Sequence, residues 1–70
     1  MIEVKYGTVN FYNSKLGYGS ITSDEGKNVI FLENSFVDKR IKKAIKGQRV
    51  FFTMMRNKKG KYHAKYIVRI

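Results

Sequence analysis

The chain has 70 residues, enough for one domain with a small core and the marginal stability usual at that size. It contains no Cys, which excludes disulfides and thiolate metal sites, and no apolar run approaches the ~20 residues that span a bilayer. The net charge of +10 is lopsided: residues 1–36 hold three Lys against four acids, net −1, while residues 37–70 hold twelve Lys and Arg against Asp38 alone, net +11. Clustered cations gain free energy by displacing counterions condensed on a polyanion, so this asymmetry favours a polyanionic partner over a merely solubilising surface. Met1-Ile-Glu-Val-Lys5 has no basic segment followed by an apolar one, so no secretory leader is expected and a cytoplasmic location is.

Val4–Asn13, rich in Val, Tyr, Thr and Phe with loose alternation, reads as a first strand. Asn13-Ser-Lys is turn chemistry. Tyr18–Ser23 is a second strand, with Tyr18, Ser20 and Thr22 expected on one face and Gly19 and Ile21 on the other. Asp24–Asn28 forms a hairpin connection in which Gly26 takes the φ > 0 position, and Val29–Leu32 is a short third strand.

Over Asn34–Lys46 the pattern changes. Phe36, Val37, Ile41, Ala44 and Ile45 recur near helical spacing, with Asn34 or Ser35 as a cap and Gly47 as a stop, so a helical turn or short helix is expected. Gln48–Met55 is a fourth strand, with Val50, Phe52 and Met54 inward and Phe51, Thr53 and Met55 outward. Asn57–Gly60 makes a second hairpin turn. Lys61–Arg69 is a fifth strand, in which Tyr62, Ala64, Tyr66 and Val68 would share a face. Five short strands separated by turn signals indicate an all-β fold, a small closed barrel.

Two motifs carry a resemblance. Gly7-Thr-Val-Asn-Phe-Tyr-Asn13 is similar to the Gly-x-Val-Lys-Trp-Phe-Asn that opens cold-shock domains, and Leu16-Gly-Tyr-Gly-Ser-Ile21 to their Lys-Gly-Phe-Gly-Phe-Ile. Val29-Ile-Phe-Leu-Glu33 lies where that family has Val-Phe-Val-His-Phe, and Gly47-Gln-Arg-Val-Phe-Phe52 follows its Gly-Gln-x-Val-x-Phe. The resemblance runs the length of the chain without an evident gap. It implies a five-stranded antiparallel barrel of the oligonucleotide-binding (OB) type. That family usually has an irregular loop between the third and fourth strands, where the apolar spacing of this chain points to a helical turn or short helix instead. It also implies a function: capture of single-stranded RNA or DNA with low sequence preference, as an RNA chaperone does.

The same resemblance designates the binding face. It retains Phe11 and Tyr18 as stacking rings and replaces the family's other rings with Ser20, Ile30, Leu32, Glu33 and Ile41. Asn10, inside the first motif, and Lys15, between the two, complete the candidate face. Cations move the other way: Lys39, Arg40, Lys42 and Lys43, with Lys58, Lys59 and Lys61, form two clusters suited to phosphates. Tyr62 replaces a base-contacting residue of the family and is either a stacking ring or an edge packing residue; both remain open.

Catalysis finds no constellation. His63 is the only His, with no acid or Cys near it in sequence, and Asp24-Glu25 sits in a turn where solvated acids are routine. No catalytic residue, metal ligand or cofactor is expected. A membrane partner is not expected either, and a monomer is. The rival to nucleic-acid binding is a protein partner held by an apolar patch of Ile30, Leu32 and Ile41.

Overall fold

A computed structural model describes residues 3–37 and 44–70. The order is β1 (Glu3–Asn13), β2 (Tyr18–Ser23), β3 (Asn28–Leu32), a single 3-10 turn (Glu33–Ser35), β4 (Arg49–Arg56) and β5 (Tyr62–Arg69). The strands close into a barrel in the order β1-β2-β3-β5-β4. Four of the ladders are antiparallel, and β3 meets β5 in parallel through the pair Ile30 and His63. This is the expected all-β OB-type barrel. Between β3 and β4 the described residues hold only the 3-10 turn, and the middle of the segment expected to be helical, residues 38–43, lies outside the described residues.

Alternation fills the core. Val50, Phe52 and Met54 point inward from β4 as the sequence suggested, and join Val9, Ile21, Val29, Phe31, Ala64 and Ile67. Phe36 follows the 3-10 turn, bridges to Ile67 and packs its ring edge-on to Phe31, so it caps the core from the connection. Each fully buried Phe or Ile contributes roughly 1.5–3 kcal/mol, which makes these few residues the main source of stability in so small a domain.

Two bulges break the alternation. On β1, Val9 pairs with Ile21 but Phe11 pairs with Ser20, so Asn10 is an inserted residue. On β5, Thr53 of β4 pairs with Lys65 while Phe51 pairs with Val68, leaving Tyr66 and Ile67 opposite Phe52. Tyr66 takes φ 56 there, a left-handed conformation rare outside glycine. The expectation that Tyr62, Ala64, Tyr66 and Val68 share a face is therefore corrected: Ala64 and Ile67 are buried, whereas Tyr66 stands 65% exposed. An extra residue shifts a period-two pattern by one, and every side chain beyond it changes face.

Gly19 allows the closest approach between β1 and β2. A Cβ at that position would lie 2.2 Å from the Phe11 carbonyl oxygen and 2.8 Å from the Phe31 ring. Backbone cannot yield as a side-chain tip can. Gly19→Ala is expected to lower stability by about 1–3 kcal/mol through overpacking, measured as a shift in the urea midpoint. An unchanged midpoint would show that β1 and β2 are not held this tightly.

The acids near the β2–β3 turn are all engaged. Asp24 takes two hydrogen bonds from the Arg49 guanidinium at 2.6 and 2.9 Å, and Arg49 also donates to Thr8 at 3.1 Å. Lys5 reaches Glu25 at 2.7 Å and Glu3 at 3.5 Å. The Arg49 bonds hold the Asp24 carboxyl below its ordinary range, and the Lys5 bond does the same for Glu25. A carboxylate with a depressed folded pKa adds stability above its unfolded pKa, near ~4, and loses it as pH falls through the lower folded value. The thermal midpoint should therefore drop below about pH 4, and Asp24→Asn should flatten part of that acid limb. An identical acid limb in the variant would contradict the pairing.

Candidate nucleic-acid interface

The first bulge decides which rings face out. Val9 is buried, and strict alternation would bury Phe11 with it; the inserted Asn10 turns Phe11 outward to 40% exposure. Tyr12 turns inward and stacks on Phe31 at 6.0 Å with planes 9° apart. Burial first, and the Glu33 charge second, raise the pKa of the Tyr12 hydroxyl. Phe11 then meets Tyr18 across the β1–β2 pair, edge to face at 5.9 Å and 85°.

Register builds the rest of the surface from these two rings. Phe11, Ser20, Ile30 and His63 form one row across four strands, and Asn13, Tyr18 and Leu32 form the next. Residues paired across strands point to the same side, so these rows share the barrel's outer face. Ile30 and Leu32 are exposed, and Glu33 is exposed beyond Leu32. Ser20 is only 4% exposed; Asn10 Nδ2 donates to its hydroxyl at 3.3 Å, and the outer face closes over it. The two rows thus place the rings of Phe11 and Tyr18 on β1 and β2, the aliphatic side chains of Ile30 and Leu32 on β3, a buried hydroxyl at Ser20 and the His63 imidazole on β5.

Two turns present the flanking cations. Asn13 Oδ1 accepts from the backbone N–H groups of Lys15 and Leu16 at 3.0 and 3.1 Å, an Asx turn that leaves Lys15 exposed. Asn57 Oδ1 organises the second turn in the same way, accepting from the N–H groups of Lys59 and Lys61 at 2.9 and 3.0 Å. Lys58, Lys59 and Lys61 project from this turn, all exposed. Lys39, Arg40, Lys42 and Lys43, and Ile41 with them, lie outside the described residues.

Tyr62 is half-buried at the start of β5 and packs against the core, while its ring keeps charged company. Lys27 Nζ lies 4.9 Å and Arg56 Cζ 4.8 Å from the ring centroid, and Arg56 donates to the hydroxyl. That hydrogen bond, and the two positive charges, lower the pKa of the Tyr62 hydroxyl. Lys27 and Arg56 escaped the sequence reading because they are 29 residues apart; only the barrel brings the β2–β3 turn and the end of β4 together. Among the described residues no three of His, Cys, Asp and Glu converge on a metal site, and no helix is long and apolar enough to cross a membrane.

A chain that places rings and cations on the outer face of a five-stranded barrel has known counterparts. Residues 5–70 match the family described as the 'Cold-shock' DNA-binding domain. The cold shock protein CspV of Vibrio cholerae serotype O1 is 38% identical over 55 residues, covering 77% of this chain and 79% of that protein. The cold shock-like protein CspA of the same organism is 37% identical over 61 residues, 86% of this chain and 87% of its own length. The cold shock protein CspA of Rhizobium meliloti is 35% identical over 55 residues, 77% of this chain and 80% of its own length. The chain belongs to the cold-shock domain family, a family of nucleic-acid-binding proteins without enzymatic activity.

Proposed function

We infer that this protein captures single-stranded RNA or DNA in the cytoplasm with low sequence preference, and acts as a chaperone by trapping unpaired strands. The observation that carries the reading is the outward pair of Phe11 and Tyr18, flanked by exposed Lys15 in the β1–β2 turn and by exposed Lys58, Lys59 and Lys61 in the β4–β5 turn. Rings accept any base, because every base has a π-face, and Lys holds phosphates irrespective of sequence. The weight shifts toward charge, since Ile30 and Leu32 offer apolar contact but no stacking plane, and Ser20 is buried. Tyr62 adds a third ring or a packing element at the border.

A second reading keeps the barrel as a scaffold for a protein partner. It is favoured by the exposed aliphatic side chains of Leu16, Ile30 and Leu32, with relative exposures of 66%, 45% and 56%. One titration separates the two.

Binding of single-stranded oligonucleotides should weaken with salt at a log–log slope of roughly −3 to −4, as for ~4–6 neutralised phosphates on a single strand. Phe11→Ala and Tyr18→Ala should each cost about 1–3 kcal/mol and leave that slope nearly unchanged. Neutralising Lys58, Lys59 and Lys61 together should weaken binding and flatten the slope by about 2. No binding even at low salt would give the lead to the protein partner.

A further inference from the structure

We propose that Lys27, Arg56 and Tyr62 form a phosphate subsite that receives the backbone of a single strand as it leaves the outer face of β1–β3. The proposal rests on the single-strand reading and adds a position to it. Along β3 the outward residues are Leu32, Ile30 and Asn28, and Lys27 follows directly at the end of the strand. Because Ile30 of β3 pairs with His63, Tyr62 at the start of β5 stands beside that same end. Arg56, the last residue of β4, pairs with Tyr62. A strand lying along β3 from Leu32 towards Asn28 runs into these three groups.

Their chemistry suits a phosphodiester. Arg56 donates to the Tyr62 hydroxyl oxygen, which leaves the hydroxyl's own proton to donate outward. The two cations sit 4.9 and 4.8 Å from the ring centroid. Among the described residues neither forms an ion pair: Glu3 and Glu25, which line the same groove, are both held by Lys5. The groove has a volume of about 620 Å³, with Met55 and Tyr66 as apolar and aromatic walls. It holds two cations that form no ion pair among the described residues, and one hydroxyl donor, beside the Asn28 end of β3. The Lys27 charge does help Lys5 to lower the pKa of the Glu25 carboxyl. An oxyanion with one charge and several acceptor oxygens uses all three donors.

The subsite predicts a dependence on strand length. A ladder of oligothymidylates from about three to about eight nucleotides, spanning the lower end of the ~4–16 an OB barrel covers, is titrated by fluorescence anisotropy against the full chain. Comparison is made with the double variant Lys27→Gln, Arg56→Gln and with Phe11→Ala, each checked for its thermal unfolding midpoint. For the long oligonucleotides the double variant should bind roughly tenfold more weakly, with a salt slope shallower by about 1.4, the effect of two cations on a single strand. Its affinity for the shortest should stay within about twofold, while Phe11→Ala weakens every length. Lys27→Gln alone should give about half the change in slope, and it serves if the double variant unfolds.

Three results overturn the proposal. If the double variant loses affinity equally at all lengths, the two cations act through a general field and hold no particular phosphate. If it binds long strands as the wild type does while Phe11→Ala weakens them, the outer face stands and the subsite falls. If the wild-type chain binds no oligonucleotide of any length, the single-strand reading falls and the subsite with it.

Discussion

Between β1 and β2 the chain has room for hydrogen at Gly19 and for nothing larger, because the Phe11 carbonyl and the Phe31 ring both press on that position. This close approach and the bulge at Asn10 belong together. With one extra residue opposite Ser20, β1 coils tightly over β2 and reverses the sense of its alternation. Tyr12 then stacks on Phe31 inside, and Phe11 meets Tyr18 outside. The same local irregularity therefore supplies one aromatic ring to the core and one to the surface. Remove it, and the core loses a stacked pair while the face loses its first ring.

Charge is arranged around that scaffold with little cancellation. The sequence shows a slightly acidic first half, yet the folded barrel spends those acids on structure: Asp24 on Arg49, Glu3 and Glu25 on Lys5. Exposed pairs of this kind contribute little stability individually. Their larger effect is on the field, since neutralised acids no longer oppose the cations of the β4–β5 turn or those beside Tyr62. Glu33, exposed next to Leu32 at the far end of the face, pairs with no cation among the described residues and acts instead on the Tyr12 hydroxyl. On that face a strand would be drawn towards the end rich in Lys and Arg.

Much of the fold was legible because its signals are local. Val50, Phe52 and Met54 alternate cleanly on β4, and Gly26 takes the φ > 0 position its hairpin required. Both bulges were illegible, since an inserted residue is defined by the partner strand and leaves the composition of its own strand unchanged. That is why Tyr66, placed by period two on the face of Ala64, is exposed instead. Of the candidate site, Phe11, Tyr18, Ile30 and Leu32 do share one outer surface, whereas Ser20 lies beneath it. The neighbourhood of Tyr62 was hidden for a further reason: Lys27 and Arg56 are far apart in sequence and meet only when the barrel closes.

The central claim is that a single strand lies on the outer rows built from Phe11 and Tyr18. The most direct test is chemical-shift mapping of the isotopically labelled protein during titration with an oligothymidylate, following aromatic and methyl signals together. The account predicts that the largest changes fall on the rings of Phe11 and Tyr18 and the methyl groups of Ile30 and Leu32. Changes confined to the β1–β4 side of the barrel, where Tyr6 of β1 pairs with Phe51 of β4, with these four signals unmoved, would contradict it.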